Sequence, residues 1–272
     1  MTMYSVLMSV YAKEKAEYLR QAMDSMWRQT VKPDDFVLIC DGPLTDALDG
    51  IIRDMAAAHP ELRVIRLAEN GGLGNALRIG VRMCRHELIA KMDSDDISRP
   101  DRCEKELAYL ISHPEISLVG GLIEEFSRTP EEVSARRVVP ETSEEIVAFA
   151  KRRNPFNHPS VMYRKADVLA AGNYPPVRYI QDYYLWINML LKGFRGYNIQ
   201  EPLVWMRADG GLFKRRSGKL YRRLQVELFR SMRARGFISY PQYVSSCVIR
   251  SLSSFVPNRM RRLLFDKVLR KH

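Results

Sequence analysis

The stretch Glu87-Leu-Ile-Ala-Lys-Met-Asp-Ser-Asp-Asp-Ile-Ser-Arg-Pro100 constrains this chain more than any other. Leu88 to Met92 reads as a short buried strand that runs directly into Asp93, Ser94, Asp95 and Asp96, and Pro100 then opens a helix. A strand that ends in three carboxylates places them at the edge where open α/β sheets bind ligands. Such acids repel one another unless a cation lies among them. A divalent metal is the economical candidate, because one or two carboxylates suit Mg2+ or Mn2+, which complete their shells with water and with the phosphates of a bound nucleotide. An EF-hand is not supported, since counted from Asp93 the loop has Ser98 at the sixth position, where the sharp turn needs Gly. The competing reading is a solvated Asp-rich turn that caps the next helix through Asp96 or Ser98.

The segments before this turn set the fold class. Tyr4-Ser-Val-Leu-Met-Ser-Val-Tyr11 is nearly continuous in apolar residues, as a parallel strand covered on both faces must be. Leu19, Ala22, Met23, Met26 and Trp27 then recur at helical spacing, and Phe36-Val-Leu-Ile-Cys40 is a second apolar run that ends in Asp41-Gly42-Pro43. Residues 45–59 are helical by period, 62–67 form a strand, and Glu69-Asn-Gly-Gly-Leu-Gly-Asn75 turns into a helix reaching about Arg85. The order β-α-β-α-β-α-β predicts a doubly wound, mostly parallel, right-handed α/β sheet. The Gly-rich turn lacks both the Gly-Lys-Ser/Thr ending of a P-loop and the third glycine of a dinucleotide fingerprint, so it supports neither an ATPase nor a dehydrogenase.

Beyond the acid turn the alternation weakens. Residues 100–113 read as a helix and 116–126 as a strand; 127–142 is polar; 143–153 is a short helix capped by Ser143. Asn154-Pro-Phe-Asn-His-Pro159 is a turn leading to a strand at 160–163. Asp182 starts an apolar helix within residues 179–191, where by residue type alone it serves as an N-terminal cap. Trp205 and Arg207 are placed after the last strand.

A strand ending in Asp41-Gly42, then Asn70-Gly-Gly-Leu-Gly-Asn-Ala76, then Ala90-Lys-Met-Asp-Ser-Asp-Asp96, and finally Gln181-Asp-Tyr-Tyr-Leu-Trp186 resemble, in this order, the family 2 inverting glycosyltransferases of the GT-A fold. The likeness spans about residues 3–207. Asn154-Pro-Phe-Asn-His-Pro159 beside Gln181–Trp186 narrows it to bacterial enzymes of exopolysaccharide, capsule and O-antigen synthesis. The resemblance implies a donor set of Tyr11, Asp41, Asn70, Gly72, Asp93, Ser94 and Asp95. Asp41 would meet the base, Asn70 and Gly72 would border the nucleoside, Asp93 would contact ribose, and Asp95 would ligate Mn2+ or Mg2+ at the diphosphate. Asp182 matches the family's catalytic base; the preceding acid of that pair is Gln181 here. His158 and Trp186 lie in the two segments that carry the narrower likeness, which implies an acceptor-side or metal-proximal place. By residue type alone, His158 is structural and Trp186 packs a helix. The implied reaction moves a hexose, UDP-linked by preference over dTDP-linked, to a glycan or a polyprenyl-diphosphate-linked sugar, with inversion.

Charge divides the chain. From Arg207 onward there are 17 Lys/Arg against three acids, a net of +14, whereas residues 1–206 hold 26 basic and 29 acidic groups, a net of −3. The expected organisation is a catalytic domain over 1–209, with a nucleotide half to about 126 and an acceptor half over 127–209, followed by a basic amphipathic helical tail over 210–272. Leu220, Leu224, Leu228, Phe229 and Met232 recur at helical spacing among basic residues, and 244–256 and 260–269 repeat the pattern. Such helices suit an anionic membrane surface, where each nearby cation contributes about 1 kcal/mol, or they pack on the domain. Arg207 and Lys214-Arg215-Arg216 either reach the diphosphate or face the membrane, and the membrane is preferred. No signal peptide is read before the first strand, and Cys40, Cys84, Cys103 and Cys247 have no metal-ligand spacing, so reduced thiols in a cytoplasmic protein attached to the inner membrane face are expected.

Two other classes compete. A sugar-nucleotide nucleotidyltransferase begins with a Gly-rich, Arg-containing loop where this chain has Tyr11-Ala-Lys-Glu-Lys15. A nucleic-acid-binding module would carry base, not acid, on its core surface.

Overall fold

The computed structural model describes residues 3–208, 218–255 and 270–271. Four parallel strands form its first half: β1 (Tyr4–Val10), β2 (Asp35–Cys40), β3 (Leu62–Arg66) and β4 (Leu88–Asp93), in the order β3-β2-β1-β4. Strand periodicity divides their side chains between two cores. Tyr4, Val6, Met8 and Val10 pack with α1 (Ala16–Trp27), α2 (Asp46–Ala58) and α4 (Arg102–Ser112). Leu7, Val37 and Ile39 face the other way, onto α3 (Leu73–Met83), α6 (Lys165–Ala170) and α7 (Gln181–Leu191). Each strand is therefore apolar on both faces, which is why the runs read as continuous.

Register then decides where the functional residues emerge. Val10 pairs with Cys40 and Ser9 with Asp93, so Tyr11, Asp41 and the acid turn leave the sheet together at one edge. Strand order reverses between β1 and β4, the crevice in which open α/β sheets hold ligands.

The second half is mixed. β8 (Met162–Arg164) lies antiparallel between β4 and β6 (Ile116–Phe126), and β6 runs parallel to β9 (Arg195–Arg207). A two-residue strand, β5 (Ile97–Ser98), pairs antiparallel with β9, β7 (Val133–Arg137) joins the far side of β6, and β10 (Arg270–Lys271) pairs with β7. Trp205 and Arg207 thus lie inside β9 and not beyond the last strand. Gln200-Glu201-Pro202 imitates a turn, but Pro202 sits opposite Leu122 where the β6–β9 register shifts, a position in which a missing N–H is tolerated. β7 hides in a polar stretch because most of its side chains face solvent. Helix α5 (Ser143–Ala150) is capped one residue earlier than expected. Thr142 and Glu145 form a reciprocal capping box, and the Ser143 hydroxyl donates instead to the Gly196 carbonyl at 2.7 Å.

Beyond β9, α8 (Lys219–Ala234) and α9 (Tyr240–Phe255) follow. Leu228, Phe229, Met232 and Ile238 are buried against Ala150, Tyr183 and Ile187, so this part of the basic tail packs on α7. Lys214-Arg215-Arg216 and the pattern at 260–269 lie outside the described residues. Among the described residues no helix is long and apolar enough to cross a membrane. All four cysteines are unpaired thiols.

Candidate active site

The site begins at the end of β2. Asp41 is nearly buried, and its two carboxylate oxygens accept the backbone N–H groups of Gly71 (2.8 Å) and Gly72 (3.0 Å), while its carbonyl accepts the Asn70 side-chain amide at 3.0 Å. One acid thus holds the whole Gly-rich turn. Gly42 follows with φ +87°, and a β-carbon there would stand 2.7 Å from the Asn70 nitrogen, so the approach of the two loops requires glycine. The turn is anchored to Asp41 as well as opening α3.

At the end of β4 the carboxylates are shared among several partners. Asp93 pairs with the ammonium of Lys91, whose side chain is wholly buried on the same strand. The Ser94 hydroxyl donates to Glu14 at 2.8 Å, tying the middle of the turn to the loop after β1. Asp95 is half-exposed, and its carbonyl accepts Arg207 Nε at 3.0 Å. Asp96 is buried and accepts the Arg207 backbone N–H at 2.8 Å. Burial raises the Asp96 carboxyl well above the usual carboxylate range, and Asp95 and Asp93 raise it further; the Arg207 N–H and Lys91 oppose this. Neither Asp96 nor Ser98 caps α4: the first is taken by β9 and the second lies in β5. Arg207 itself is buried, stacked over Tyr18 at 3.8 Å and Phe126 at 4.6 Å and bonded to Gln21 at 2.7 Å. It supports the acid turn from beneath and does not face a membrane.

The facing wall comes from α7. Its N-cap, Ile180, has φ +54°, a left-handed conformation that is strained for a β-branched residue and that sets the direction in which the helix starts. Asp182, in the first turn, accepts the Asn154 side-chain amide at 2.6 Å. His158 stands in a 3-10 turn (His158–Ser160) with Nε2 3.1 Å from the Tyr174 hydroxyl. Burial lowers the His158 imidazole to about 4, Lys91 lowers it further, and Asp182 and Asp93 oppose. The imidazole is therefore neutral near pH 7, and it lies within the fields of both the acid turn and Asp182. Trp186, expected on the acceptor or metal side, is fully buried and stacks edge-on with Phe156, His158 and Tyr174 at 5.6–6.3 Å between ring centres. It builds the wall behind His158 and offers no surface to a ligand.

Three participants carry no sequence signal strong enough to single them out. Lys91 looks like a polar interruption in an apolar strand, although a lysine inside a buried run must find a counterion, and a carboxylate two residues on lies on the same strand face. Glu14 sits in a charged loop, and Asn154 opens a turn motif that gives no hint of its partner.

A divalent cation fits this donor set. Among the described residues no three His, Cys, Asp or Glu side chains converge as a closed metal cage. What is present is a half-exposed carboxylate, Asp95, next to a second carboxyl, Asp96, that burial and then its acidic neighbours Asp95 and Asp93 drive upward. Mg2+ and Mn2+ accept that arrangement when phosphate oxygens and water complete the shell.

Comparison with known proteins agrees with this architecture. The model of the family Glycosyl transferase family 2 matches residues 5–171. The chain is 36% identical to the amylovoran biosynthesis glycosyltransferase AmsE of Erwinia amylovora, over 97% of this chain and 98% of that one. It is 32% identical to the UDP-Gal:alpha-D-GlcNAc-diphosphoundecaprenol beta-1,3-galactosyltransferase of Escherichia coli, over 98% and 97%. The structure of S. aureus TarS residues 1–349 with UDP-GlcNAc superposes with TM-score 0.67 at 16% identity, over 96% of this chain and 78% of that one, which shows the fold to be GT-A. The chain is thus a glycosyltransferase, and it belongs to glycosyl transferase family 2.

Proposed function

We propose that this enzyme transfers a hexose from UDP to a sugar carried on a polyprenyl diphosphate, with inversion, during bacterial surface polysaccharide synthesis. The observation that carries the reading is the meeting of two carboxylate groups at one partly buried histidine and one buried tyrosine. Both Asp93, on the acid turn, and Asp182, on α7, act on the His158 imidazole and on the Tyr174 phenol. The acid turn and the start of α7 therefore lie near the same two side chains, which places the proposed donor and acceptor sides beside each other. The Escherichia coli relative, by its name, uses UDP-Gal and a diphosphoundecaprenol-linked GlcNAc, which supports this choice of donor and acceptor.

In this reading Asp41 and the turn it holds at Asn70 and Gly72 receive the nucleoside with Tyr11, and Asp93 and Ser94 border the ribose and diphosphate. Asp95 would hold Mn2+ or Mg2+, which supplies neutralisation of charge on the departing diphosphate. Asp182 takes the proton from the acceptor hydroxyl as its oxygen bonds to the anomeric carbon. The bond from that carbon to the diphosphate oxygen breaks, and UDP leaves with the electron pair. Attack opposite the leaving group inverts the anomeric centre in one displacement.

The membrane surface is the second part of the proposal. On α9, Tyr240, Val244 and Val248 recur every fourth residue and are 40–64% exposed, and Arg223, Arg230, Arg233 and Arg235 are exposed on and just beyond the neighbouring α8. An apolar stripe beside cations suits an anionic leaflet at the cytoplasmic face.

Incubation with UDP-galactose, UDP-glucose or dTDP-glucose, a lipid-linked GlcNAc diphosphate and Mn2+ tests the reading, with NMR of the product linkage. A β-linked product from an α-linked UDP donor, lost when the metal is chelated, is expected; retention of the α configuration contradicts it.

A further inference from the structure

The amide of Asn154 makes a contact that the proposed reaction does not yet use. Its Nδ2 donates to Asp182 Oδ2 at 2.6 Å, while its Oδ1 accepts the backbone N–H of Phe156 at 3.3 Å. The second bond fixes the first. A backbone N–H can be received only by the amide oxygen, so the NH2 group must be the end turned toward Asp182. Pro155 follows Asn154 and holds the backbone there extended, and Phe156, fully buried against Trp186, pins the turn to the core. From the other side Asp182 is presented by the strained backbone at Ile180. Two independent elements therefore converge on one hydrogen bond between a neutral donor and a carboxylate.

Resting on the reading of Asp182 as the base, we infer that Asn154 is its positioning residue. The bond to Oδ2 holds the carboxylate plane and leaves Oδ1 to receive the acceptor's proton. A carboxylate with one oxygen bound this way keeps a fixed direction for the other, a constraint that solvent would not impose. Other titratable groups around Asp182 do not obscure the effect. His158 is neutral above pH 5, and the phenols of Tyr174 and Tyr183 are pushed upward, chiefly by burial, so they stay protonated. Lys91 and Asp93, at the end of β4, are paired with each other.

Asn154→Asp is the informative variant, because it keeps an oxygen for the Phe156 N–H and replaces only the donor with a second acid. Two carboxyls at this spacing share a proton, so the acidic limb of the kcat against pH profile should move upward by about one unit or more. Turnover at pH values below the limb should fall about tenfold and recover toward wild type as pH rises, with UDP affinity and melting temperature near wild type. Asn154→Ala should move the limb the same way by less. A limb unmoved in both variants, or an Asn154→Asp enzyme that is folded but does not recover by pH 9, overturns the proposal while leaving an inactive Asp182→Asn to uphold the base reading. Near-normal transfer by Asp182→Asn overturns that reading and this inference with it.

Discussion

Gly74, in the first turn of α3, offers a sharp test of how the two halves of the site are joined. A β-carbon at this residue would stand 2.4 Å from the Pro175 carbonyl oxygen and 2.8 Å from that of Val177. Both are backbone atoms of the segment that leads into Ile180 and Asp182, so no side-chain rotation relieves the clash. Ordinary contact begins at 3.4 Å, and the segment must therefore withdraw by about 1 Å. Overpacking of this kind costs about 3 kcal/mol at its upper range, and exchanging Gly for Ala inside a helix returns about 1 kcal/mol. The net loss for Gly74→Ala is about 2 kcal/mol, or roughly 4–8 °C in Tm for a chain of this size. The sign is informative, since helix propensity alone predicts stabilisation. A 1 Å displacement of the residues that carry Asp182 should also lower kcat by about 10²-fold, more than it weakens UDP binding. Thermal unfolding, UDP titration and sugar transfer on the two proteins measure all three. A variant with unchanged or raised Tm and unchanged turnover would refute the coupling of α3 to the base.

Lys91→Met keeps the volume of a buried side chain but leaves Asp93, which is about one quarter exposed, without its counterion. Partial exposure discounts the 3–5 kcal/mol of a fully buried pair to about 2 kcal/mol, and added Mn2+ should raise the Tm of this variant more than that of wild type. Equal Tm for the two proteins without metal would show that the pair contributes nothing. Glu106 is buried against Arg102, and burial raises its carboxyl to about 7 although Arg102 opposes. Because the folded-state value lies above the unfolded one, its contribution to stability is complete below about pH 4.5 and is lost as pH rises toward 7. The Tm of wild type relative to Glu106→Gln should therefore fall between pH 5 and 7.5, and a constant difference would contradict the assignment. Full-length protein should bind anionic vesicles less as salt rises, and a double substitution, Val244→Asp with Val248→Asp, should reduce that binding while leaving Tm unchanged, since both side chains are exposed. Undiminished binding by that variant would remove α9 from the membrane contact.

The first half of the fold is legible in the sequence because β1, β2 and β4 are mostly apolar runs and each crossover helix is amphipathic. Register then carries Asp41 and Asp93 to the same edge without further information. The second half resists the same reasoning. β9 contains a proline at a register shift, β7 is an exposed edge, and β8 is three residues long, so periodicity has little to act on. Within the site, the acids are visible by type and position, whereas their partners depend on contacts across 28 to 112 residues. The Asn154–Asp182 and Arg207–Asp95 bonds are of this kind. Trp186 shows the reverse hazard, since its place in a recognised segment suggests a ligand role that burial excludes. Arg207 shows another: a charge near the start of a basic tail reads as surface until β9 carries it beneath the acid turn.

In the proposed reaction Asp182 performs chemistry and does not merely anchor Asn154 to the first turn of α7, and one comparison tests this directly. Asp182→Asn keeps the size of the side chain and an oxygen able to accept from Asn154, but it cannot take the acceptor's proton. Measured side by side with wild type, the variant should retain UDP affinity and Tm while its rate of sugar transfer to the lipid-linked acceptor falls by about 10²-fold or more. Transfer at a near-normal rate by Asp182→Asn would contradict the account.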